Sequence, residues 1–85
     1  MTSKTIQHIA VPATTERLTE IWQSLLGHTL FTIQDNFFDV GGHSLVANRL
    51  CVTIEEEFGV TFPVLEIFDN ATIDLQVNRI NGDRA

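Results

Sequence analysis

Residues 41–58, GGHSLVANRLCVTIEEEF, carry the strongest structural signal in this chain, because two glycines are followed at once by a periodic apolar run. At about 100° per residue, the apolar residues after Ser44 gather on one side of a helix. They are Val46, Ala47, Leu50, Cys51, Ile54 and Phe58. Gly59 then provides a natural stop. The pattern predicts an amphipathic helix from Ser44 or Leu45 to Phe58, with its apolar side against a core.

The segment before this helix predicts a second amphipathic helix. Its apolar residues recur at i, i+3, i+4, i+7 and i+8 from Leu18 to Leu26, which is the pattern of one buried helix face. We expect bounds of about Thr15 to Leu26, with Gly27 as the stop. Trp22 belongs to this stripe, so we interpret it as a core side chain rather than a ligand-stacking one.

The end of the chain predicts two more helices and no strand. Pro63 suits the first position of a short helix over about Val64 to Phe68. Thr72 suits the N-cap of a last helix that ends at about Ile80, before Asn81-Gly82. Short connections favour antiparallel packing. The predicted fold class is all-α, a small four-helix bundle with three main helices and one short helix.

A long loop, residues 28–43, joins the first two main helices. Loops of this length in small domains are normally functional, or are held in place by their own apolar residues. The candidates for holding it are Leu30, Phe31, Ile33, Phe37, Phe38 and Val40. We expect an ordered loop that wraps over the core and brings Ser44 to the surface.

Length and composition set further bounds. The 85 residues make one domain, which we place at residues 14–81, with a flexible leader or linker at 1–13 and a C-terminal tail at 82–85. The net charge of −6 disfavours nucleic-acid binding and suits basic protein partners or solubility. Neither a membrane span nor a secretory signal is expected. The expectation is a cytoplasmic domain that is monomeric in isolation.

The sequence predicts neither a metal site nor a reactive thiol. Cys51 is the only cysteine, which excludes an intrachain disulfide and argues against a cysteine-based metal site. Its place on the apolar helix face favours a small buried residue over a reactive thiol. The side chains of residues 55–57, three consecutive glutamates, point in different directions on a helix and predict a solvated acidic face. The three histidines lack ligand spacing, so no metal is predicted.

Ser44 is the candidate functional residue, because it stands where a loop poor in side chains becomes a helix. Gly41 and Gly42 permit positive φ and the close approach of another macromolecule. Serine is favoured as an N-cap, and the free N–H groups of a helix start favour an attached phosphate. The residues leave two interpretations open, a presented attachment site and a structural N-cap.

Two enzymatic interpretations lack the residues that they need. A serine hydrolase needs a base held against the hydroxyl. His43 is adjacent in sequence, which rarely allows that geometry, and His8 and His28 are remote. A phosphate-binding loop needs lysine before the serine, where this chain has His43. We therefore predict no catalytic residue, and we interpret His43 as a polar loop residue that shapes the approach to Ser44.

The outer side of the same helix is predicted to bind partners. Leu45 and Val52 are apolar and have no obvious core to enter, and Asn48 and Arg49 lie on the same side. Single exposed apolar residues are ordinary. Two on one face beside a presented serine indicate a partner-binding patch.

Residues 35–45, DNFFDVGGHSL, resemble the core signature of peptidyl carrier proteins, the thiolation domains of non-ribosomal peptide synthetases. These belong to the phosphopantetheine-binding carrier superfamily. The resemblance covers roughly residues 16–80 and includes Glu20-Ile21-Trp22 and Glu57-Phe58-Gly59-Val60. An eleven-residue match placed correctly within a four-helix pattern is a specific signal.

The resemblance implies a four-helix bundle that performs no bond chemistry itself. It implies that a phosphopantetheinyl transferase, using Mg²⁺ of its own, attaches 4′-phosphopantetheine from coenzyme A to Ser44. Gly41, Gly42 and His43 would form the loop around that site. The arm would hold aminoacyl or peptidyl groups as thioesters and deliver them between adenylation, condensation and thioesterase domains, as in antibiotic or other secondary-metabolite biosynthesis.

Two departures qualify the resemblance. His43 indicates the peptide-synthetase branch, because fatty-acid and polyketide carriers usually have Asp-Ser-Leu at this site. Asn70-Ala71 stands where the family often has proline, which leaves that helix boundary open. The alternatives are an acyl carrier for polyketide or fatty-acid chemistry, and a small helical interaction module with unmodified Ser44. Loading by an adenylation domain rather than an acyltransferase separates the first from a peptidyl carrier, and full activity of Ser44→Ala would support the second.

Overall fold

A computed structural model describes residues 10–84 as four helices and their connections. The helices are α1 (Ala10–Leu26), α2 (Ser44–Phe58), α3 (Val64–Asp69) and α4 (Ile73–Arg84). This range contains no strand, and the predicted all-α four-helix architecture is confirmed. Residues 1–9, most of the predicted leader, and residue 85 lie outside the described residues.

Two of the expected boundaries are wrong. Helix α1 begins at Ala10 rather than at about Thr15, so residues 10–13 are helix and not leader. Pro12 is compatible with this start, because the N–H groups of the first helical turn have no partner within the helix. Helix α4 continues to Arg84 through the predicted stop at Asn81-Gly82. Gly82 does not adopt positive φ, and glycine inside a helix costs only about 1 kcal/mol relative to alanine.

Two glycines end the first two helices as predicted. Gly27 has φ 80°, and its N–H donates to the Gln23 carbonyl at 2.9 Å. Gly59 has φ 70°, and its N–H donates to the Glu55 carbonyl at 3.0 Å. Left-handed backbone of this kind is where glycine is favoured, because it has no Cβ.

The core is built from every helix together with the long loop and the link before α3. Its fully buried apolar members are Leu18, Trp22, Phe37, Ala47, Leu50, Ile54, Phe62, Ile67, Ile73 and Ile80. Burial of each large side chain contributes roughly 1.5–3 kcal/mol. The predicted inward face of α2 is confirmed, with Val46 and Phe58 partly buried at its edges, and Trp22 is a core residue as expected.

The acidic run at the end of α2 is exposed as predicted, but two of its members have partners. Glu55 accepts the Phe62 N–H at 2.8 Å. Glu57 pairs with Arg17 of α1 at 2.8 Å; this pair lowers the pKa of Glu57 and raises the pKa of Arg17. These contacts join α2 to the link and to α1. Within residues 10–84 no helix is long and apolar enough to cross a membrane.

Cys51 is buried, as its helix face predicts, and we expect it to be chemically inert in the folded chain. Burial, with the nearby Glu55 and Glu66 carboxylates, raises the pKa of its thiol to about 11. Because the thiolate is the reactive form, alkylation by iodoacetamide at pH 8 should be about a hundredfold slower in the folded chain than in urea. Equal rates measured by mass spectrometry would contradict this expectation.

The same shift fixes the direction of a pH effect on stability. The folded chain holds the Cys51 proton more tightly than the unfolded chain, whose thiol titrates near about 8.5. This contribution to stability is therefore complete below pH 8.5 and declines as the pH rises toward 11. A Cys51→Ala variant should show a smaller loss of stability over that range in urea titrations.

Candidate functional site

The long loop before α2 is held by fewer of its apolar residues than the sequence predicts. Phe37 is fully buried, and Phe31, Phe38 and Val40 pack against the core from partly exposed positions. Leu30 is 82% exposed and Ile33 38% exposed, so the expectation that these two hold the loop is wrong. Apart from Phe31, the apolar anchors lie in the half of the loop that leads to Ser44.

Backbone hydrogen bonds tie the loop to the start of α4. The Phe37 N–H donates to the Ala71 carbonyl at 2.7 Å, and the Asp74 N–H donates to the Ile33 carbonyl at 3.1 Å. Ala71 is itself buried. Thr72 accepts the Leu75 N–H at 3.1 Å through its hydroxyl, which is the predicted N-cap contact. The turn between α3 and α4 therefore forms a fixed base for the loop.

His28 joins the two ends of the loop, a role that the sequence did not indicate. Its Nδ1 accepts the Leu30 N–H at 2.9 Å, so Nε2 carries the proton and donates to the Val40 carbonyl at 2.7 Å. Its ring also lies edge-on to Phe31, with the centroids 5.9 Å apart. The imidazole thereby positions the backbone immediately before Gly41.

The two glycines are required by the domain itself. Gly41 has φ 120°, a conformation that residues with a Cβ rarely adopt. A Cβ on Gly42 would collide with the Phe37 ring and would lie 2.7 Å from the Phe37 carbonyl oxygen. The Gly42 N–H donates to that carbonyl at 2.9 Å. The sequence explained Gly42 by the approach of a partner, whereas the structure shows that Phe37 occupies the space.

Ser44 is the first residue of α2, and its side chain is exposed. The N-cap is His43, with φ −149° and ψ 179° and no side-chain capping bond, so the N-cap interpretation of Ser44 is wrong. The first helical bond runs from the Ala47 N–H to the His43 carbonyl at 2.7 Å. Within residues 10–84, the Ser44 hydroxyl and the N–H groups of residues 44–46 have no protein partner.

The described histidines and acidic residues do not assemble a second reactive group around Ser44. The Nε2 atom of His28 is committed to the Val40 carbonyl, and His43 is exposed at the helix N-cap. His8 lies outside the described residues. Among residues 10–84 no three His, Cys, Asp or Glu side chains are grouped so that they could hold a metal ion. The site therefore consists of an exposed hydroxyl, a loop held by hydrogen bonds and packing, and a helix start.

The predicted partner-binding residues are all exposed on α2. Leu45 is 61% exposed and Val52 53% exposed, and Asn48 and Arg49 are also on the surface. The tertiary structure adds Leu65 and Phe68 of α3, which are 74% and 57% exposed.

The two α3 residues were missed by the sequence analysis, although their i, i+3 spacing on a short helix was a usable signal. Phe68 stacks on Phe38 of the long loop, with the ring centroids 4.9 Å apart and the planes 5° apart. This stack carries the apolar surface of α3 to the loop that leads to Ser44. The exposed apolar surface therefore extends beyond α2.

Comparisons with known proteins agree with this geometry. The family model described as "Phosphopantetheine attachment site" matches residues 16–80. Gramicidin S synthase 2 of Brevibacillus brevis is 43% identical over 67 residues, which are 79% of this chain and 2% of that protein. The hybrid PKS-NRPS synthetase TAS1 of Gloeophyllum trabeum is 47% identical over 72 residues, 82% of this chain and 5% of that protein. The chain thus spans a small fraction of both relatives.

A solved structure gives the same result for the fold and the family. It is the phosphopantetheine transferase Sfp in complex with coenzyme A and a peptidyl carrier protein, matched with a TM-score of 0.79 and 33% identity. The match covers 82% of this chain and 91% of the chain in that structure. The resemblance inferred from residues 35–45 is confirmed. The chain belongs to the phosphopantetheine-attachment family and is a carrier domain of the peptidyl carrier type.

Proposed function

We propose that this domain carries aminoacyl or peptidyl groups in non-ribosomal peptide synthesis, on a 4′-phosphopantetheine arm attached to Ser44. One observation carries the assignment of the residue. In the part of the chain that the structure describes, Ser44 presents an exposed hydroxyl without a protein partner at the start of α2, inside the segment that the family model matches. The domain is the substrate of a phosphopantetheinyl transferase and is not itself an enzyme.

The residues around Ser44 fit a phosphodiester. The N–H groups of residues 44–46 precede the first helical bond, from Ala47 to His43, and point along the helix toward its start. A negative charge at this position is stabilised by roughly 0.3–1 kcal/mol in an exposed setting. Because His43 supplies no capping bond, these donors are available to the phosphate oxygens.

Attachment uses only the Ser44 hydroxyl of this chain. Its oxygen bonds to the phosphorus of coenzyme A that carries the pantetheine, its proton leaves, and adenosine 3′,5′-bisphosphate departs as the bond to that group breaks. The bound group supplies a terminal thiol that holds acyl groups as thioesters. Gly41 and Gly42 allow the backbone before Ser44 to adopt its observed conformation, since positive φ at Gly41 and the Phe37 ring beside Gly42 exclude other residues there.

The partners are a phosphopantetheinyl transferase and the adenylation, condensation and thioesterase domains of a synthetase, and the setting is the cytoplasm. We assign docking to Leu45, Asn48, Arg49 and Val52, which are exposed on the helix that begins at Ser44. Their apolar area is small, which suits partners that must be released quickly, because weak and transient interfaces bury little surface.

The intact mass of the unmodified domain tests the proposal. The domain is incubated with coenzyme A, Mg²⁺ and a phosphopantetheinyl transferase of broad specificity. We expect a gain of one phosphopantetheinyl group, located on the peptide that contains Ser44. A folded domain that gains no mass would overturn the proposal in favour of an interaction module.

Loading of the modified domain tests the branch of carrier chemistry. We expect an adenylation domain of a peptide synthetase to transfer its amino acid to the modified domain, and an acyltransferase of polyketide synthesis to transfer nothing. Thioester formation is followed by intact mass. Loading by the acyltransferase alone would reassign the domain to acyl carriers.

The docking surface gives a separate prediction. A Leu45→Ser, Val52→Ser variant removes apolar contact area without touching the core, since both side chains are more than half exposed. We expect KM for the transferase to rise about fivefold to tenfold with kcat little changed, as is typical when uniform binding is lost. Leu75→Ser on α4, where the side chain is 44% exposed, serves as the control. An equal rise in KM for both variants would contradict the assignment.

A further inference from the structure

Gln76 is a fully buried polar residue on the inward side of α4. It occupies the i+3 position of the stripe formed by Ile73, Val77 and Ile80, where an apolar residue is expected. Both ends of its amide are satisfied. The Trp22 indole N–H donates to Oε1 at 3.0 Å, and Nε2 donates to the Asn70 carbonyl at 2.8 Å. A buried amide that is hydrogen-bonded through both its oxygen and its nitrogen favours one arrangement of its neighbours.

The bond from Gln76 reaches the turn between α3 and α4. Asn70 ends α3, and its side-chain amide donates to the Glu66 carbonyl at 3.0 Å. The next residue, Ala71, is buried, and its carbonyl accepts the Phe37 N–H at 2.7 Å. Gln76 thus binds the turn at Asn70, and the next residue of the turn, Ala71, binds the long loop.

Trp22 makes the same connection by direct contact. Its ring lies edge-on to the Phe37 ring, with centroids 4.9 Å apart and planes at 73°. Phe37 is therefore held from two directions, by its backbone bond to Ala71 and by Trp22. Gln76 is bonded to Trp22 and to Asn70, the residue before Ala71. The Phe37 carbonyl in turn accepts the Gly42 N–H at 2.9 Å, two residues before Ser44.

We propose that Gln76 is a positioning residue for the attachment reaction. Its amide links Trp22 to Asn70 and thereby fixes Phe37 beneath Gly42, so that the Ser44 hydroxyl is presented to the transferase in one orientation. This inference rests on the proposed function of Ser44. Gln76 makes no side-chain hydrogen bond to Ser44; its partners are Trp22 and Asn70, and it acts through Phe37 and Gly42.

Gln76→Met tests the proposal, because methionine fills a similar volume and cannot make the two amide bonds. Ile80→Val is the matched control, a mild change at another buried position on the same inward side of α4. Both variants, without the phosphopantetheine arm, are assayed with the transferase under conditions in which each variant is fully folded. We expect kcat/KM to fall about tenfold for Gln76→Met, as misplacement of a reacting group costs rate, and to stay within about twofold of the parent for Ile80→Val.

Amide hydrogen exchange supplies a readout that loss of stability alone would not move. In each variant, the exchange rates of the Phe37 and Gly42 amides are divided by the exchange rate of the Ile54 amide of α2. These ratios should be at least about tenfold higher in Gln76→Met than in Ile80→Val. Unchanged ratios, or equal kcat/KM in the two variants, would overturn the role of Gln76. Failure of the parent itself to gain mass would instead overturn the proposed function.

The parent domain offers a test that needs no variant to fold. If one network holds Phe37, the Trp22 indole N–H and the Phe37 amide should open together, with protection factors within about threefold of each other and below that of the Ile54 amide. The inference would be overturned if the protection factors of the Trp22 indole N–H and the Phe37 amide differed by more than about tenfold. It would also be overturned if both equalled the protection factor of the Ile54 amide.

Discussion

Ser44→Ala is expected to abolish attachment of 4′-phosphopantetheine and to leave the stability of the domain nearly unchanged. The first effect follows because no other atom at this position can accept the group. The second follows because the hydroxyl is exposed and has no partner within the described residues. A change within about 0.5 kcal/mol is typical of such surface sites. An N-cap serine would lose about 1 kcal/mol, so stability separates the two roles.

The measurement combines intact mass with urea denaturation. Ser24→Ala provides the matched control, because Ser24 is an exposed helical serine on α1, and it should be modified at the parent's rate with similar stability. A mass gain in Ser44→Ala would exclude Ser44 as the attachment residue. A stability loss near 1 kcal/mol or above would restore a structural role for the hydroxyl.

Gly42→Ala is expected to destabilise the fold by about 1–3 kcal/mol, the usual cost of overpacking. The added Cβ meets the Phe37 ring and lies 2.7 Å from the Phe37 carbonyl oxygen. The φ angle of Gly42 is not positive, so the cost comes from this collision and not from backbone strain. Domains have only about 0.05–0.15 kcal/mol of stability per residue, which makes the expected loss a large fraction of the total for 85 residues.

Urea denaturation of two further variants isolates the cause. Gly82→Ala lies inside α4 with nothing within 4 Å of its Cβ, so it should stabilise the domain by up to about 1 kcal/mol. In Phe37→Leu the smaller side chain leaves room, so Gly42→Ala should cost less in that background than in the parent. Additive losses in the double variant would show that the Phe37 ring does not confine Gly42. A neutral Gly42→Ala would show that neither the ring nor the Phe37 carbonyl confines it.

Local signals in the sequence were sufficient for the helices and for the position of the site. The apolar period and the left-handed glycines at 27 and 59 placed the ends of α1 and α2 correctly. The two helix ends that were predicted wrongly, the start of α1 and the end of α4, have no glycine with positive φ. Helix α1 starts earlier than the apolar stripe, and α4 runs through Gly82 because a glycine without positive φ does not end a helix.

Contacts between distant segments could not be predicted in the same way. His28 was treated as a remote histidine, yet it bonds Val40 across the loop. Phe68 was treated only as part of a short helix, yet it stacks on Phe38. Gln76 does break an apolar stripe, which was a visible signal, but nothing in its neighbourhood along the chain points to Trp22.

The order of residues along this chain was enough to predict four helices, an ordered loop and an exposed serine where the loop meets α2, because capping, periodicity and glycine conformation act over a few neighbouring residues. Why Gly42 cannot be another residue, why Ser44 is not a cap, and what holds the loop emerged only from the packed structure. These features depend on Phe37, Ala71 and Trp22 meeting in space. Close packing makes each such contact specific, and pattern along the chain does not encode it.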